Sequence, residues 1–365
     1  MQSKGLHAPG GWATTTGAGA EGVGEQAAGH RVQRLPTMAD VAARAGVSKA
    51  LVSLVFRQAP GASEATRARV LQAAEEIGYR ANRSASLLAR RRTRLIGVPV
   101  VVSDAFRAEL AEEIQDAADE AGYAVAISAI TRRHDERRVL ETLLELRCEA
   151  LVLLSPELEP DGLAALARQL PVVTVGLHLA AVTPGVDSVR AADDEGVTKA
   201  VEHLLALGHR AVAHVDGGDA AWATDRRSGY ERAMADRGIA GLARVLRGGH
   251  SEAAGAAAAR ALLDEGTLPS AIVAANDRCA VGLLDVFIRA GVQVPGDVSV
   301  VGFDDGLLAR LPHVDLTTVS QQADLQAQQA VAAVVERLDG GRKEPRALVL
   351  PSRLVVRGTT GPPRG

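Results

Sequence analysis

Aromatic residues are scarce in this sequence of 365 residues, where four Phe, three Tyr and two Trp make up only 2 %. Hydrophobic residues nevertheless reach 47 %, so a sizeable core must be built mainly from Ala, Val and Leu. Cysteine is nearly absent as well, with Cys148 and Cys279 far apart in the chain. Two such distant cysteines exclude a disulfide framework or a cysteine metal cluster, and they fit a reducing cytoplasm.

Long apolar runs are also absent, and no run approaches the ~18 apolar residues that a membrane-spanning helix needs. The sequence therefore predicts no membrane partner. The first residues lack the basic-then-apolar order of a signal peptide. They are rich in Gly, Ala and Thr without periodicity, which predicts a disordered tail over residues 1–35. The alternative is a translation start further along the chain, even at Met38.

The common enzyme motifs are missing: the sequence contains no GxxxxGK[ST], HExxH, CxxC or GxSxG. The nine histidines are scattered, and His209 is expected to be structural. Asp104, Asp304 and Asp305 could form a glycosidase pair, but the chain pattern described below is that of a binding cleft. We therefore predict a protein that is not an enzyme and that has no metal and no cofactor.

Charge is distributed unevenly along the chain, although the net charge is only −3. Residues 31–94 hold thirteen Lys or Arg and four Asp or Glu, whereas residues 95–365 hold twenty-seven and thirty-eight. A compact basic segment on an acidic body indicates an anionic partner at one end. The alternative is a solvated basic face without a partner.

Residues 37–58, TMADVAARAGVSKALVSLVFRQ, have the pattern of a helix-turn-helix. Thr37 and Asp40 form a capping pair at the start of the first helix, Gly46 turns the chain and Ser48 caps the second helix. In a helix-turn-helix the second helix enters the DNA major groove. The basic segment therefore contains a structure suited to an anionic partner.

A third helix, from Ser63 through Ile77 and ended by Gly78, completes a predicted DNA-binding head over residues 36–80. Residues 81–94 are too polar and too short for a stable isolated helix. They predict a hinge or linker that becomes helical on binding a partner, the alternative being a plain solvated linker. Phosphate contacts are expected from its basic side chains, Arg90, Arg91, Arg92 and Arg94.

From Leu95 onward, seven short apolar runs typical of buried strands alternate with amphipathic helices. This alternation predicts parallel sheets with right-handed crossovers, in two doubly wound lobes separated near residue 188. Ligands of such sheets bind beyond the carboxyl ends of the strands, so the cleft between the lobes is the expected site. The predicted helices cover residues 108–121, 136–146, 193–206, 226–237, 251–264 and 276–290.

Several ordered motifs resemble those of the LacI/GalR family of repressors, from TMADVAARAGVSKALVS and TRLIGV to EHLLALGHR, AIVAANDRCAVGLL and GVQVPGDVSVVGFDD. The resemblance covers about residues 37–358. It implies a core like the periplasmic sugar-binding proteins, in which the chain crosses between lobes three times, near residues 188, 320 and 346. Residues 95–188 and 320–345 then form the N-terminal lobe, and residues 189–319 and 346–365 the C-terminal lobe.

The resemblance also implies which side chains of the second helix read DNA. Lys49 can donate to guanine, whereas Ala50 can only touch a thymine methyl group. Leu54 replaces a base-reading arginine, which costs roughly 1–3 kcal/mol of discrimination at one base pair, unless this helix face touches no base. Arg57 replaces an asparagine and is expected to contact phosphate. The complete predicted set from the head is Ser48, Lys49, Ala50, Ser53, Leu54 and Arg57.

Three linker residues match the hinge helix of the family. Asn82 begins that helix, Leu88 matches the leucine that wedges into the central base step from the minor groove, and Ala89 is small enough to fit the groove. Wedging needs two hinges side by side, so the active form is expected to be a homodimer. Its operator should be a near-palindrome in double-stranded DNA, with a central CG step.

For a small-molecule effector, the resemblance implies four polar residues. Arg226, in RRSGY, matches an arginine that clamps the ligand, and Asn276 matches an effector-binding asparagine. Asp304 matches an acid that accepts sugar hydroxyls, and Gln321 lies at a lobe crossing where it can touch ligand from the hinge.

Other residues near these positions have weaker indications. Phe106 stacks on the ligand or belongs to the core, and Asp104 adds an acceptor. Asp277 is expected mainly to cap a helix, and Asp305 has a weaker claim than its neighbour. Gly176 stands where some relatives carry an acid that holds a sugar hydroxyl, which leaves the particular ligand open.

The sequence therefore predicts a cytoplasmic, sequence-specific transcriptional regulator, associated with the nucleoid when it is bound to DNA. Repression controlled by a sugar or sugar derivative is the leading hypothesis, with induction by ligand expected and corepression as its alternative. An effector-independent or activating regulator is a second hypothesis. A transport-type sugar-binding protein is the third, against which the helix-turn-helix and the missing signal peptide argue.

Overall fold

The structure is a computed structural model that describes residues 36–56, 59–79, 92–177, 183–220 and 222–364. These residues belong to two compact units, a small head and a larger core. The predicted tail of residues 1–35 and most of the predicted linker lie outside the described ranges.

The head consists of the three helices that the sequence predicts: α1 (Met38–Ala45), α2 (Lys49–Phe56) and α3 (Glu64–Glu76). Its predicted turn is confirmed. Thr37 and Asp40 form a reciprocal capping box at α1, and Gly46 ends that helix with a left-handed φ of 64°. The Ser48 hydroxyl accepts a hydrogen bond from the amide of Leu51 at 3.2 Å and so caps α2.

A small apolar core holds the three helices of the head together. Val41, Val52, Val55 and Val70 are at most 2 % exposed and contact one another across the helices. Arg67 of α3 adds hydrogen bonds of 3.2 Å to the carbonyls of Val55 and Ala59, which satisfies groups at the end of α2. Short helices are marginal alone, so this packing fixes the angle at which α2 is presented.

The first lobe of the core has a six-stranded, fully parallel sheet in the order β11-β5-β4-β3-β1-β2. Helices α4 and α11 cover one face, and α5 and α6 cover the other, so the central strand β3 is buried along its whole length. The elements are β1 (Leu95–Val101), α4 (Ala105–Glu120), β2 (Ala124–Ile130), α5 (Glu136–Glu145), β3 (Ala150–Leu154), α6 (Pro160–Ala167), β4 (Val172–Val175), β5 (Val186–Ala191), α11 (Ala323–Leu338) and β11 (Ala347–Leu350).

The second lobe has a six-stranded sheet in the order β12-β10-β9-β8-β6-β7, with α7 and α8 on one face and α9 and α10 on the other. The parallel sheet expected here is confirmed for strands β6 to β10, and the edge strand β12 is added antiparallel to β10. The elements are α7 (Asp193–Ala206), β6 (Val212–Val215), α8 (Ala223–Asp236), a 3₁₀ turn (Ala240–Leu242), β7 (Arg244–Leu246), α9 (Glu252–Glu265), β8 (Ala271–Ala274), α10 (Asp277–Arg289), β9 (Ser299–Asp304), β10 (Thr317–Ser320) and β12 (Arg353–Val355).

The chain passes between the lobes three times, after β5, after β10 and after β11. Strand β5 continues to Ala191, and β11 pairs with it from Ala347 opposite Ser188 to Leu350 opposite Ala191. The crossings lie a few residues after the positions expected near 188 and 346, because residues 189–191 and 347–350 belong to the first sheet. Ser320 likewise belongs to the second lobe, where it pairs with Asp304.

Sequence periodicity also missed some elements of the core. Strands β5, β7, β10 and β12 are short or polar and lack the continuous apolar run of a buried strand. Strand β11, whose sequence is ALVL, was missed although it is apolar, and α6 and α11 were not predicted as helices. Helix α11 is rich in Ala and Gln, which gives it a weak apolar stripe. Its place against α4 and the first sheet is decided by tertiary packing.

Helices α9 and α10 approach closely because each carries a glycine at the contact. A Cβ atom at Gly255 would lie 1.9 Å from the carbonyl oxygen of Cys279, and one at Gly282 would lie 2.0 Å from that of Glu252. We expect Gly255→Ala to lower the free energy of unfolding by about 1–3 kcal/mol, the usual cost of overpacking, as measured by urea denaturation. Gly241→Ala is the control, because nothing lies within 4 Å of its added methyl group. Equal stability of the two variants would contradict the close-packing argument.

Candidate functional sites

A cleft of about 730 Å³ lies between the two lobes of the core. It opens at the carboxyl ends of strands from both sheets, as expected for doubly wound lobes. All six effector-binding residues predicted from the sequence line this one cleft: Asp104, Phe106, Arg226, Asn276, Asp304 and Gln321. The structure therefore brings them together, and their role in binding remains a prediction.

Arg226 is the central cation of the cleft, and its guanidinium is 4 % exposed. Its Nε donates to Asp193 at 2.8 Å, and an Nη donates to the carbonyl of Ala275 at 2.7 Å. The rings of Trp222 and Phe303 lie 4.1 and 3.7 Å from the guanidinium carbon. These contacts fix the plane of the guanidinium, which is the property needed for bidentate recognition of a ligand.

Asp304 lies at the end of β9 and connects Arg226 with the lobe crossing. Its Oδ1 accepts a hydrogen bond from Gln321 Nε2 at 2.7 Å and lies 3.8 Å from an Nη of Arg226. Burial raises the pKa of Asp304 well above its ordinary value; Arg226 opposes this shift, whereas Asp277 and Asp104 add to it. The carboxyl oxygens of Asp304 can accept hydrogen bonds from hydroxyl groups of a ligand.

The backbone on both sides of this contact adopts rare conformations. Asp304 has a φ of 126°, and Gln322, which directly follows Gln321, has a φ of 54°. Such conformations cost of order 1–3 kcal/mol each and persist only where surrounding contacts determine them. Here they direct the Asp304 carboxyl group and the Gln321 amide toward each other across the crossing.

The helix cap at α10 is formed by Asn276, so the expectation that Asp277 caps this helix is wrong. The Oδ1 of Asn276 accepts a hydrogen bond from the amide of Cys279 at 2.9 Å, and its Nδ2 donates to the carbonyl of His250 at 3.2 Å. The sequence pattern could not distinguish the two residues, since Asn and Asp are equally good N-caps.

Asp277 is instead buried beneath the cleft. It accepts hydrogen bonds from the Thr318 hydroxyl at 2.5 Å and from the Gly306 amide at 2.9 Å. Burial raises its pKa to about 7, although both hydrogen bonds oppose the shift. Asp277 therefore joins α10 to the β9 and β10 ends, and Asp305, which accepts from Arg357 at 2.6 Å, does not line the cleft.

The first lobe contributes Asp104 and Phe106 to the cleft. Asp104 caps α4 by accepting from the amide of Arg107 at 3.2 Å, and its carboxylate also lies 3.5 Å from the Arg107 side chain. Phe106 is half-buried in the cleft wall, so its side chain is neither part of the buried core nor fully exposed to solvent. The expectation that it can contact a ligand is compatible with this position.

Gly176 also lines the cleft, at the end of β4, with a φ of 73°. A Cβ atom there would lie 2.9 Å from the Ser155 hydroxyl oxygen. An acid at this position would therefore be strained in the backbone conformation that the chain has here.

Sequence reasoning missed Trp222, which lines the cleft and whose ring lies against the Arg226 guanidinium. The ring also meets His250 edge-on at a centroid distance of 6.4 Å, and Gly217 leaves room for it, since a Cβ there would lie 2.5 Å from the ring. The signal was present, because the four-residue spacing from Trp222 to Arg226 places both on one helix face. Polar cleft residues that follow strands were missed as well: Ser155, Glu157, Arg247 and His250.

On the head, Lys49 and Ala50 are exposed in the first turn of α2. Ser53 and Leu54 are half-buried, and a Leu54 methyl group lies 3.4 Å from the position of a Cβ at Gly61. This placement is compatible with a Leu54 side chain at a base-reading position and with one on a helix face that touches no base. The predicted contacts of Arg57, Asn82, Leu88 and Ala89 lie outside the described residues.

Two other expectations are settled by contacts within the core. His209 is buried and bonds to Ser270 and to the carbonyl of Gly361 at 2.9 and 2.8 Å, which confirms a structural role. Arg92, predicted to contact phosphate, contacts Glu149 and Asp339 of the first lobe. Within the part of the chain that the structure describes, no group of His, Cys, Asp and Glu side chains is placed to hold a metal ion, and no helix is long and apolar enough to cross a membrane.

Comparisons with known proteins agree with this architecture. Residues 37–82 match the family described as bacterial regulatory proteins, lacI family, and residues 201–360 match the periplasmic binding protein-like domain. The chain is 33 % identical to the HTH-type transcriptional regulator GalR of Escherichia coli (strain K12) over 311 residues, which cover 84 % of this chain and 90 % of GalR. The chain belongs to the LacI family of bacterial regulatory proteins. This LacI-family protein is a DNA-binding transcriptional regulator and not an enzyme.

Solved structures of other LacI-family proteins resemble it along most of its length. The lac repressor dimer bound to operator and the anti-inducer ONPF is 30 % identical, with a TM-score of 0.76 and coverage of 90 % of this chain and 100 % of that one. The transcriptional regulator CelR in complex with cellobiose is 29 % identical, with a TM-score of 0.65 and coverage of 89 % and 99 %. The helix-turn-helix head and the two-lobed core are therefore the expected family arrangement.

Proposed function

We propose that this LacI-family regulator is a homodimeric repressor in the cytoplasm, whose binding to a near-palindromic operator is controlled by a sugar or sugar derivative. The observation that carries the proposal is the composition of the cleft. Asp104 from one lobe lines it together with Arg226, Asn276 and Asp304 from the other, and Gln321 comes from the crossing itself. A ligand that contacts both lobes can bind one arrangement of the lobes more tightly than another. This difference in affinity is the requirement for control by population shift.

The chemistry of the cleft fits a polyhydroxylated ligand. Arg226 and Asn276 provide planar donors, and Asp104 and Asp304 provide acceptors, so vicinal hydroxyl groups can be bound in pairs. Trp222 and Phe106 provide the apolar surface that ring carbons need. The cellobiose bound by CelR is the ligand of a relative, and it supports a carbohydrate-like effector here.

On the DNA side, we propose that α2 reads the major groove through Ser48, Lys49 and Ala50, with Ser53 placed at a phosphate. Leu54 in place of a bidentate arginine would make the operator differ at one base pair. The operator-bound dimer of the lac repressor supports a dimeric reader. Asn82, Leu88 and Ala89 would form the hinge, with Leu88 wedged at a central CG step and Arg57 on phosphate.

Selection from a random pool of DNA duplexes with the purified protein tests the DNA-binding half of the proposal. We expect sequencing to reveal a near-palindrome with a central CG step. A labelled duplex of that sequence can then be titrated with mono- and disaccharides and their phosphate esters, and operator release is followed by fluorescence anisotropy. A protein that enriches no sequence, with or without these sugars, would contradict the proposed repressor.

Asp304→Asn tests the ligand-binding half. The variant is expected to weaken binding of the releasing sugar about 10–100-fold, since a hydrogen bond to a charged group contributes about 1.5–3 kcal/mol. Operator affinity without sugar should change little. Asp305→Asn is the matched control, because its side chain contacts Arg357 instead of lining the cleft. Unchanged sugar binding in the Asp304 variant would remove this residue from the proposed site.

A further inference from the structure

Arg92, the first described residue of the core, is bonded to three separate parts of the first lobe. Its Nε and one Nη donate to Glu149 Oε2 at 3.0 and 2.8 Å, that Nη also donates to the Tyr123 hydroxyl at 2.9 Å, and the other Nη donates to Asp339. Four of the five N–H groups of a guanidinium are thereby used. Arg92 is therefore committed to the core and has little capacity left for a DNA phosphate.

The backbone that follows Arg92 is held at the same place. The amide of Arg94 donates to the other Glu149 oxygen at 3.1 Å, and the Thr93 hydroxyl donates to the carbonyl of Arg147 at 2.8 Å. The Arg94 guanidinium lies 5.3 Å from the centre of the Tyr123 ring. Because these contacts surround residues 92–94, they determine the direction in which the chain enters β1 from the linker.

The electrostatics favour this arrangement over a solvated arginine. Glu149 has only 15 % of its side chain exposed; its burial raises its pKa, but hydrogen bonds from Arg92 and Arg94 outweigh this effect and lower the pKa overall. The hydrogen bond from Arg92 also lowers the pKa of Asp339. Two ionised carboxylates therefore hold one guanidinium, a stronger arrangement than a single exposed pair.

Asp339 connects this cluster with the ligand cleft through α11. It directly follows that helix, whose other end begins beside the Gln321 crossing. In the first turn of α11, the Gln326 side chain lines the cleft and donates to the carbonyl of Gln321 at 2.8 Å. The helix has 16 residues and spans about 24 Å, so a displacement at its cleft end is carried to Asp339 as a rigid element.

The far end of α11 is fastened to the sheet as well. Arg337, in its last turn, donates to the buried Asp187 of β5 at 2.8 Å, and Arg342 donates to the same carboxylate at 2.9 Å. Asp187 is only 1 % exposed, and hydrogen bonds from these arginines lower its pKa in spite of its burial. The residues around Asp339 thus move with the first lobe as one body.

We infer that Arg92 is a positioning residue for operator binding: held by Glu149 and Asp339 at the end of α11, it sets the direction in which the linker leaves the core. This inference rests on the proposed repressor function. In a dimer that must hold two linkers side by side, a fixed exit direction lowers the entropy lost when both engage one operator.

Asp339→Asn and Arg92→Gln separate this role from a phosphate contact. If Arg92 positions the linker, both variants should weaken binding to the selected operator by about tenfold, while binding to unrelated duplex DNA stays within twofold. Removing an acid would otherwise be expected to leave DNA affinity unchanged or to raise it. Arg137→Gln is the matched control, because this arginine pairs with Glu141 on an exposed helix of the same lobe.

The outcomes are distinct. Tighter or unchanged operator binding by Asp339→Asn, or equal loss on operator and unrelated DNA by Arg92→Gln, would overturn the inference. A large decrease in melting temperature with proportional loss of both DNA activities would show a purely structural role, which would also overturn it. Glu149→Gln, which keeps the shape of the cluster, provides a second variant if either substitution prevents folding. Failure of the unaltered protein to select any operator would instead count against the proposed function.

Discussion

Arg226→Met is expected to lower the free energy of unfolding of the core by about 3–5 kcal/mol, the cost of leaving buried charges without their partner. Asp193 and Asp304 have only 6 % and 9 % of their side chains exposed, and both lie next to this guanidinium. The methionine side chain can still pack between the rings of Trp222 and Phe303, but it carries no positive charge to pair with Asp193 or Asp304. The same variant should also lose its response to a releasing sugar, because the oriented guanidinium is removed from the cleft.

Urea denaturation followed by circular dichroism measures this effect. Arg227→Met is a closely matched control, since the neighbouring arginine is 51 % exposed and pairs with Glu231 on the helix surface. Exposed pairs of this kind contribute about 0–1 kcal/mol. If the two variants were equally stable, the buried ion cluster would not hold the cleft together as described.

Asp277→Asn is expected to change how stability depends on pH. Burial raises the pKa of Asp277 to about 7, whereas an unfolded Asp titrates near 3.8. Between these values the folded protein holds a proton that the unfolded chain has lost, so this group makes stability fall as pH rises. The penalty is complete above about pH 7 and is on the order of 4 kcal/mol.

The asparagine variant lacks this titration. Its Oδ1 can still accept from the Gly306 amide, and its amide nitrogen can donate to the Thr318 hydroxyl, so the shape of the contact is kept. We therefore expect its stability relative to the unaltered protein to increase from pH 4 to pH 8, as measured by urea denaturation at several pH values. Asp119→Asn, which makes the same substitution at an exposed helix position, is measured beside it as the control. A flat difference for Asp277→Asn would contradict a raised pKa at this site.

The head illustrates how much a local pattern can establish. Thr37, Gly46 and Ser48 act through hydrogen bonds and backbone angles within a few residues, so their sequence order alone predicts where α1 ends and α2 begins. The alternation of apolar runs and helices predicts the doubly wound lobes for the same reason. Asn276 follows β8 and Asp304 ends β9, where ligands of such sheets bind, but their role in effector binding was implied by the resemblance to the LacI/GalR family.

Other features depend on contacts between distant segments. Asp193 and Trp222 enclose Arg226 from different elements, and only their assembly makes Arg226 a buried, oriented cation. The choice between Asn276 and Asp277 as helix cap was likewise decided by what lies nearby, since Thr318 and Gly306 bind the Asp277 carboxylate.

By itself, the sequence determined the helix-turn-helix, the two-lobed class of fold, the family and the six residues that meet in the cleft, because these are written in short-range spacing and ordered motifs. The tertiary structure decided which distant residues contact each other. It placed Arg92 on Glu149 and Asp339 instead of leaving it for phosphate, and it kept β11 in the first sheet beside β5. Both outcomes depend on pairing between residues more than fifty positions apart. The sequence carries no local signal that shows which of these distant residues contact each other.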